Sequence, residues 1–163
     1  MCKSNMEQVS GLPAPGEGKR GEAGYVGYLL RQAAHAYQVH LARQLDDLAI
    51  TPPQFSVMTM IAAYPGLSSA DIARLTFLTP QTVSVIISNL VKADTVARVP
   101  HAVHGRIQQL VLTDSGLKLL AIAKECVKAV ENELTDGVSS TDEKTLRRWL
   151  ASISSRLDGD AED

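Results

Sequence analysis

The sequence predicts a mainly α-helical domain that carries one small β-hairpin. Hydrophobic residues make up 45% of the 163 residues and aromatic residues only 4%, which favours helices rich in Ala, Leu and Val over a β-sandwich. Apolar residues recur at intervals of three and four through most of the region between residues 25 and 157. Between residues 95 and 112 the pattern changes to β-branched and alternating residues, which indicates two strands joined by a turn.

The ends of the chain differ from this helical region. Residues 1–22 are rich in Gly, Pro and charge, which predicts a flexible tail, and residues 159–163 form a short acidic tail. Two cysteines, Cys2 and Cys126, are too few for a disulfide framework and favour a reducing compartment. No apolar run reaches the roughly 18 residues of a membrane span, and the N-terminal stretch has no apolar signal core. We therefore expect a soluble, cytoplasmic protein.

A long first helix is predicted over residues 25–50. Its apolar positions fall on one face at helical spacing, namely Val26, Leu30, Ala33, Tyr37, Leu41 and Leu48. A second helix begins after Thr51 as N-cap, with prolines in its first turn, and stops at "PG". The stretch "SSADIARLTFL" predicts a short third helix, because it starts with a Ser cap and has an Asp in its first turn.

The fourth helix, within "LTPQTVSVIISNLVKAD" (residues 78–94), has an unusual polar face. Thr79 is its predicted cap and Pro80 its first helical residue. Val83, Ile86, Ile87 and Leu90 gather on one side at about 100° per residue. The other side holds short polar residues and Val85, with no cation until Lys92. Solvated faces usually favour Glu and Lys, so this uncharged face indicates a surface that lies against a partner.

The remaining elements are a hairpin and two helices. The segments "TVARVP" and "RIQQLVLT", separated by "HAVHG", predict two antiparallel strands. Thr113 then caps a long helix with an apolar stripe at Leu120, Ala123, Val127, Val130 and Leu134. The last helix carries its apolar stripe at Leu146, Trp149, Leu150, Ile153 and Leu157.

Helix, short turn, helix and hairpin is the order of a winged helix-turn-helix, whose second helix enters the DNA major groove. Gln and Asn can bond adenine bidentately, Ser and Thr can donate or accept, and Val85 can meet a thymine methyl. Arg98 and Arg106 on the hairpin would supply charge to phosphates or the minor groove. The full set of predicted DNA-binding residues is Ser69, Arg74, Thr79, Gln81, Thr82, Ser84, Val85, Ser88, Asn89, Lys92, Arg98, His104 and Arg106.

From about residue 25 to 157 the chain resembles the MarR family of bacterial winged-helix regulators. The most specific marks are Leu-Ser before "ADIARL", the helix "TPQTVSVIISNL", and "LTDSG" after the hairpin. The resemblance implies a homodimer with interlocking terminal helices, and two wings that flank a palindromic operator. It also implies repression that a small phenolic or aromatic carboxylic acid relieves. No cofactor is expected.

Two features depart from the family pattern, one in the wing and one at the end of the recognition helix. The wing commonly has Asp-Arg-Arg, whereas this chain has His104, Gly105 and Arg106, so the Asp that usually holds the Arg is missing. The Gly that closes the recognition helix is here Asp94, which tolerates the left-handed conformation better than most residues.

Within the family, "YVGYLLRQAAHAY", "LTPPQF" and "HAVHGRIQ" are most similar to the branch that controls nicotinate breakdown, which implies a pyridine carboxylate effector. The candidate ligand-binding residues are Tyr28, Arg31, His35, Phe55 and His101. Arg31 can bind a carboxylate, and Tyr28 or Phe55 can stack on a ring. The alternative is that Tyr28, Arg31 and His35 form the solvated side of the first helix.

Competing interpretations of other residues are weaker. His101 and His104 have no adjacent Cys or carboxylate, so water or phosphate is a better partner than a metal. Cys126 lies on an apolar helix and is expected to be packed and inert. No phosphate loop, nucleophile elbow or dinucleotide motif supports an enzyme. A helical dimeric adaptor without DNA binding is the main alternative, because the net charge is −2.

The sequence thus predicts five regions. A tail (1–22) precedes a dimerisation helix (23–50) and a winged helix-turn-helix lobe (51–112). C-terminal dimerisation helices (113–158) and the acidic tail (159–163) follow.

Overall fold

The computed structural model describes residues 13–100 and 108–157. Within these residues the elements are α1 (Val26–Leu45), α2 (Pro52–Ala63), α3 (Ser69–Thr76), α4 (Pro80–Lys92), β1 (Val96–Pro100), β2 (Gln108–Leu112), α5 (Asp114–Leu134) and α6 (Ser140–Leu157). The predicted fold class, mainly α with one antiparallel hairpin, is confirmed. The chain divides into two compact units at His40.

In the N-terminal unit, a short 3-10 turn at Gly18–Arg20 is bonded to α1. Arg20 Nε donates to Gln32 Oε1 at 3.2 Å, and Gln32 Nε2 donates to the Arg20 carbonyl at 3.0 Å. The sequence predicts a flexible tail as far as residue 22, whereas residues 13–22 include this turn. The difference arises because the Gln32 amide offers the segment both a donor and an acceptor, a pairing that composition does not reveal.

The first helix is shorter than predicted. Instead of running to residue 50, α1 ends at Leu45, and a 3-10 turn follows at Asp46–Leu48. Ala49 then takes the left-handed conformation with φ 53°. Asp46 and Asp47 both have low helix propensity, which favours the change from the α-helix to a 3-10 turn there.

The second unit has its core between α2, α3, α4 and the hairpin. Its fully buried members include Val57, Met58, Ile72, Val83 and Ile87. The strands β1 and β2 pair antiparallel, with Val96 opposite Leu112 and Pro100 opposite Gln108. Val96 and Leu110 are buried in the same core, so the hairpin is anchored at its base. This packing fixes the orientation of α4 relative to α2 and α3.

A hydrogen-bonded junction connects the end of α4, the start of the hairpin and the start of α5. Asp94 takes φ 54°, the left-handed conformation predicted for it. Its carbonyl accepts hydrogen bonds from the hydroxyls of Thr113 and Ser115. A Cβ on Gly116 would lie 1.9 Å from the Thr95 carbonyl oxygen, so only glycine permits this approach. The Gly116 noted in the sequence therefore has a packing function.

The two C-terminal helices differ in burial. In α5, Leu120, Ala123 and Val130 are buried, as their spacing predicts, whereas Leu134 is exposed. In α6 no residue is buried, although its apolar residues share one face. Among the described residues, no helix is long and apolar enough to cross a membrane.

Candidate nucleic-acid interface

Local signals in the sequence position α4. Thr79 is its N-cap, and the Thr79 hydroxyl accepts a hydrogen bond from the Thr82 backbone N–H at 3.1 Å. Pro80 occupies the first helical position, where its missing N–H costs nothing. The four apolar residues of the predicted stripe are all buried, namely Val83, Ile86, Ile87 and Leu90. The predicted helix start and buried face are both confirmed.

The outward face of α4 is polar and exposed. Gln81, Thr82, Ser84, Val85, Ser88 and Asn89 are all exposed, and Lys92 in the last turn is the sole charged residue of the helix. Val85 is the only large apolar side chain among them. An exposed face without acidic residues can approach phosphates closely, and its short side chains leave room for base edges.

The hydroxyl groups on this face are bonded within the helix. Ser84 Oγ donates to the Pro80 carbonyl at 2.9 Å, and Ser88 Oγ donates to the Ser84 carbonyl at 2.9 Å. The hydroxyls of Thr79 and Thr82 lie 2.8 Å apart, where either can donate. From the sequence these hydroxyls were expected to be free donors or acceptors, whereas in the structure they are already paired.

Gln81 and Asn89 differ from the serines. Within the described residues, no hydrogen bond involves either side-chain amide, so each retains an acceptor oxygen and donor N–H groups. They are therefore the two α4 side chains equipped for a bidentate contact with adenine.

The predicted basic residue on α3, Arg74, is part of an ion pair. Arg74 Nη1 lies 2.8 Å from Asp71 Oδ1, and its side chain is 78% exposed. Asp71 also completes a capping box with Ser68. Hydrogen bonds from the Ser68 hydroxyl and backbone, and then the charge of Arg74, lower the pKa of the Asp71 carboxyl. The sequence signal for this pair was the i, i+3 spacing of an acid and a base on a helix.

The other predicted DNA contacts are distributed around α4. Ser69 is half-buried in the first turn of α3, and Arg98 is exposed on β1 opposite Leu110. His104 and Arg106 lie outside the described residues, so their predicted contacts with DNA stay predictions.

One feature of the α3–α4 turn was not found from sequence. Phe77 caps α3 in the left-handed conformation, with φ 56°, and its side chain is 91% exposed. This conformation is costly for a bulky residue, and the ring gains little burial in return. No periodicity marks it, but a phenylalanine two residues before a helix cap was the available signal.

Two of the candidate ligand residues, Tyr28 and Arg31, lie beside each other on α1. The Arg31 guanidinium carbon lies 5.8 Å from the centre of the Tyr28 ring, within cation–π range. His35 is exposed on the same helix. Phe55 packs against the core of the second unit, which supports a structural role for its ring. His101 lies outside the described residues.

The alternative metal pair, His101 and His104, lies outside the described residues, so that interpretation is not tested. Among the described residues, no cluster of three or more His, Cys, Asp or Glu side chains could hold a metal ion. Cys126 is half-buried on α5 and is a free thiol.

The capped helix pair, the exposed face of α4 and the paired strands define a winged helix-turn-helix protein. The model of the MarR family matches residues 50–107, the part of the chain that holds α2, α3, α4 and β1. The chain is 29% identical over 130 residues to the HTH-type transcriptional repressor Rv2887 of Mycobacterium tuberculosis. The aligned region covers 80% of this chain and 94% of that repressor. The chain is therefore similar to MarR family regulators, most directly over residues 50–107.

Solved structures show the same similarity. The repressor CouR bound to a 23-mer DNA duplex is 25% identical, with a TM-score of 0.74 over 85% of this chain and 98% of CouR. The Rv2887 complex with p-aminosalicylic acid is 27% identical, with a TM-score of 0.68 over 80% of this chain and 99% of that one. The matched family and its named relatives are transcriptional regulators, which confirms the expectation that the chain is not an enzyme.

Proposed function

We propose that this chain is a ligand-responsive transcriptional repressor that binds a palindromic operator as a homodimer. The observation that carries the proposal is the outward face of α4, which is exposed, uncharged except for Lys92, and rich in hydrogen-bonding groups. A helix with this face behind a short turn is suited to the major groove. Two relatives support the DNA partner, because CouR and Rv2887 each have a solved structure in complex with DNA.

The test of DNA binding begins with a duplex pool that has a randomised centre of about 20 base pairs, enough for two half-sites roughly 10 base pairs apart. We expect the wild-type protein to enrich a palindromic sequence. Its affinity for that sequence should fall steeply as salt rises, because phosphate contacts release counterions. A protein that enriches nothing and binds independently of salt would instead be a dimeric adaptor, the interpretation that the net charge of −2 favours.

Gln81→Ala tests the groove assignment directly. Loss of one good base contact should weaken binding to the enriched sequence by roughly 5- to 150-fold, from about 1–3 kcal/mol per bidentate pair. The thermal stability should not change, because Gln81 is exposed and has no hydrogen bond in the described structure. Gln44→Ala, at an exposed glutamine on α1, is the matched control. Equal affinities for Gln81→Ala and wild type would argue against entry of α4 into the groove.

The dimer is supported by uncovered apolar surface on both terminal helices. In α6, Leu146, Leu150 and Leu157 are all exposed, and Val26 of α1 is exposed as well. Apolar stripes of this kind are usually covered by a partner. A second copy of the chain is the simplest partner, because closed two-fold dimers are the commonest assemblies and match a palindromic site.

The effector is proposed to be a small aromatic or pyridine carboxylate. Arg31 offers a bidentate donor for the carboxylate, and Tyr28 beside it offers a ring for stacking. The Rv2887 relative was crystallised with salicylic acid and with p-aminosalicylic acid, which are aromatic carboxylates. The assignment to the nicotinate branch stays a prediction, and nicotinate is one of the compounds to test.

The effector test measures DNA affinity with salicylate or nicotinate added. We expect either acid to weaken binding by roughly 5- to 150-fold, an ordinary allosteric coupling. It can do so only if it binds the DNA-free conformation more tightly than the DNA-bound one. Arg31→Ala should reduce the response without changing affinity in its absence, whereas Arg43→Ala, at another exposed arginine on α1, should respond as wild type. Methyl esters that act as well as the acids would show that Arg31 does not bind the carboxylate.

A further inference from the structure

Ser84 and Ser88 lie one turn apart on the outward face of α4, and both hydroxyls are used in the same way. Each donates its proton to the carbonyl oxygen four residues earlier, at 2.9 Å. A serine hydroxyl has one proton and two lone pairs. Since the proton is bonded within the helix, each of these exposed side chains offers its remaining lone-pair capacity to a partner.

These bonds also fix the side-chain rotamers before any partner arrives. A hydroxyl bonded to the carbonyl four residues back is held against the helix, which limits its rotation. The conformational entropy of the two side chains is therefore largely lost in the free protein rather than on binding. If either serine turned its proton outward, it would lose an existing hydrogen bond, so the acceptor state is favoured.

We propose that Ser84 and Ser88 read the major groove as hydrogen-bond acceptors, and so select exocyclic amino groups. Adenine presents its N6 amino group in the major groove and cytosine its N4 amino group. Guanine O6 and thymine O4 are acceptors, and they would face the serine lone pairs without a proton between them. The inference rests on the proposed function, in which α4 occupies the major groove.

The side-chain amides of α4 differ from the serines in the hydrogen-bonding groups that they offer to a partner. Gln81 and Asn89 have no hydrogen bonds in the described structure, so they keep both donor and acceptor groups for a bidentate contact. The serines lack that choice. We therefore expect their contacts to depend on a single amino group each, and to be weaker than those of the amides.

Deletion of single functional groups in the enriched duplex tests this inference. Adenine is replaced by purine, which lacks N6, and cytosine by 2-pyrimidinone, which lacks N4. Guanine is replaced by 2-aminopurine, which lacks O6, and thymine by 5-methyl-2-pyrimidinone, which lacks O4. Binding of each duplex is measured for the wild-type protein, Ser84→Ala and Ser84→Thr, and the same series is repeated at Ser88.

At one position in each half-site, loss of an amino group should weaken wild-type binding roughly 2- to 10-fold, the effect of one neutral hydrogen bond. The same deletion should have no effect on Ser84→Ala, whereas Ser84→Thr, which keeps the hydroxyl, should respond as wild type. Comparison of the deletion effect between variants removes any effect of the deletion on the duplex itself, because that effect is the same for each protein.

Two results would overturn the inference while leaving the proposed function intact. If loss of O6 or O4 is the deletion whose effect depends on Ser84, then the hydroxyl donates. If no deletion depends on Ser84 or Ser88, neither serine reads a base. Failure of the wild-type protein to enrich any sequence would instead contradict the proposed function, and the acceptor assignment with it.

Discussion

The helices α4 and α6 have similar amphipathic sequences, but only α4 has its apolar face buried. The apolar stripe of α4 is covered, since Val83, Ile86, Ile87 and Leu90 are all buried. In α6 the corresponding residues are uncovered, with Leu150 47% and Leu157 73% exposed. Thus α4 presents its polar face to solvent, whereas α6 presents both of its faces.

This difference separates two kinds of recognition surface. A helix whose apolar side is already covered can hold a polar face in a fixed orientation, which suits a hydrogen-bonded contact with DNA. A helix whose apolar side is uncovered gains most from another apolar surface, because removal of that surface from water is favourable. Substitutions in the two apolar stripes should therefore differ in their consequences.

The largest effect is expected in α6. Leu150→Asp would place a charge in the stripe proposed to form the dimer, where its desolvation is costly. We expect loss of the dimer and of operator binding, measured by sedimentation at micromolar concentration and by DNA titration. Arg148→Asp changes charge at an exposed residue of the same helix outside the stripe, and it should remain dimeric. A wild-type protein that sediments as a monomer under these conditions would contradict the proposed dimer.

Substitutions in the apolar stripe of α4 should lower the free energy of unfolding. Ile87→Ala would leave a cavity in the core of the second unit, where Ile87 is fully buried. We expect a loss of about 2–5 kcal/mol in the free energy of unfolding, measured by urea denaturation. Ser88→Ala, at the next and exposed position, should change stability by about 0.5 kcal/mol or less. If Ile87→Ala has no greater effect than Ser88→Ala, the burial of this stripe is not what holds α4.

The smallest effects are expected at the N-terminal caps of α4 and α6. The Thr79 hydroxyl accepts from the Thr82 N–H, and the Ser139 hydroxyl accepts from the Asp142 N–H, each at 3.1 Å. Alanine at either cap should cost about 1 kcal/mol of stability by thermal denaturation. Only Thr79→Ala should also weaken operator binding, because it loosens the end of α4 nearest the proposed groove. Equal losses of DNA affinity for the two variants would show that this effect is general destabilisation.

Much of the fold could be predicted because its signals are local. Thr51, Thr79 and Thr113 were predicted as caps, and all three accept the expected backbone hydrogen bond. The left-handed conformation of Asp94 was expected from the resemblance, because the family has Gly at this position. The prediction that the first helix continues to residue 50 was wrong. It rested on apolar residues that recur through Leu48, whereas the α-helix ends at Leu45.

The candidate interface was predicted less completely. The residues of the α4 face could be chosen from periodicity, but the state of their hydrogen bonds could not. The ion pair of Arg74 with Asp71 and the exposed left-handed Phe77 depend on side-chain geometry that residue type leaves open. Contacts assigned to the tip of the hairpin, including Arg106, lie outside the described residues and stay predictions.

By itself the sequence determined the order of the elements, the caps that start them and the faces on which apolar residues gather. These depend on interactions within three or four positions, which residue types and spacing specify. Only the tertiary structure decided that the stripe of α4 is covered and that of α6 is not. It also decided that Gly116 must lie against the Thr95 carbonyl. Both outcomes depend on which distant segments come together in space, because burial is set by packing partners and not by the local pattern.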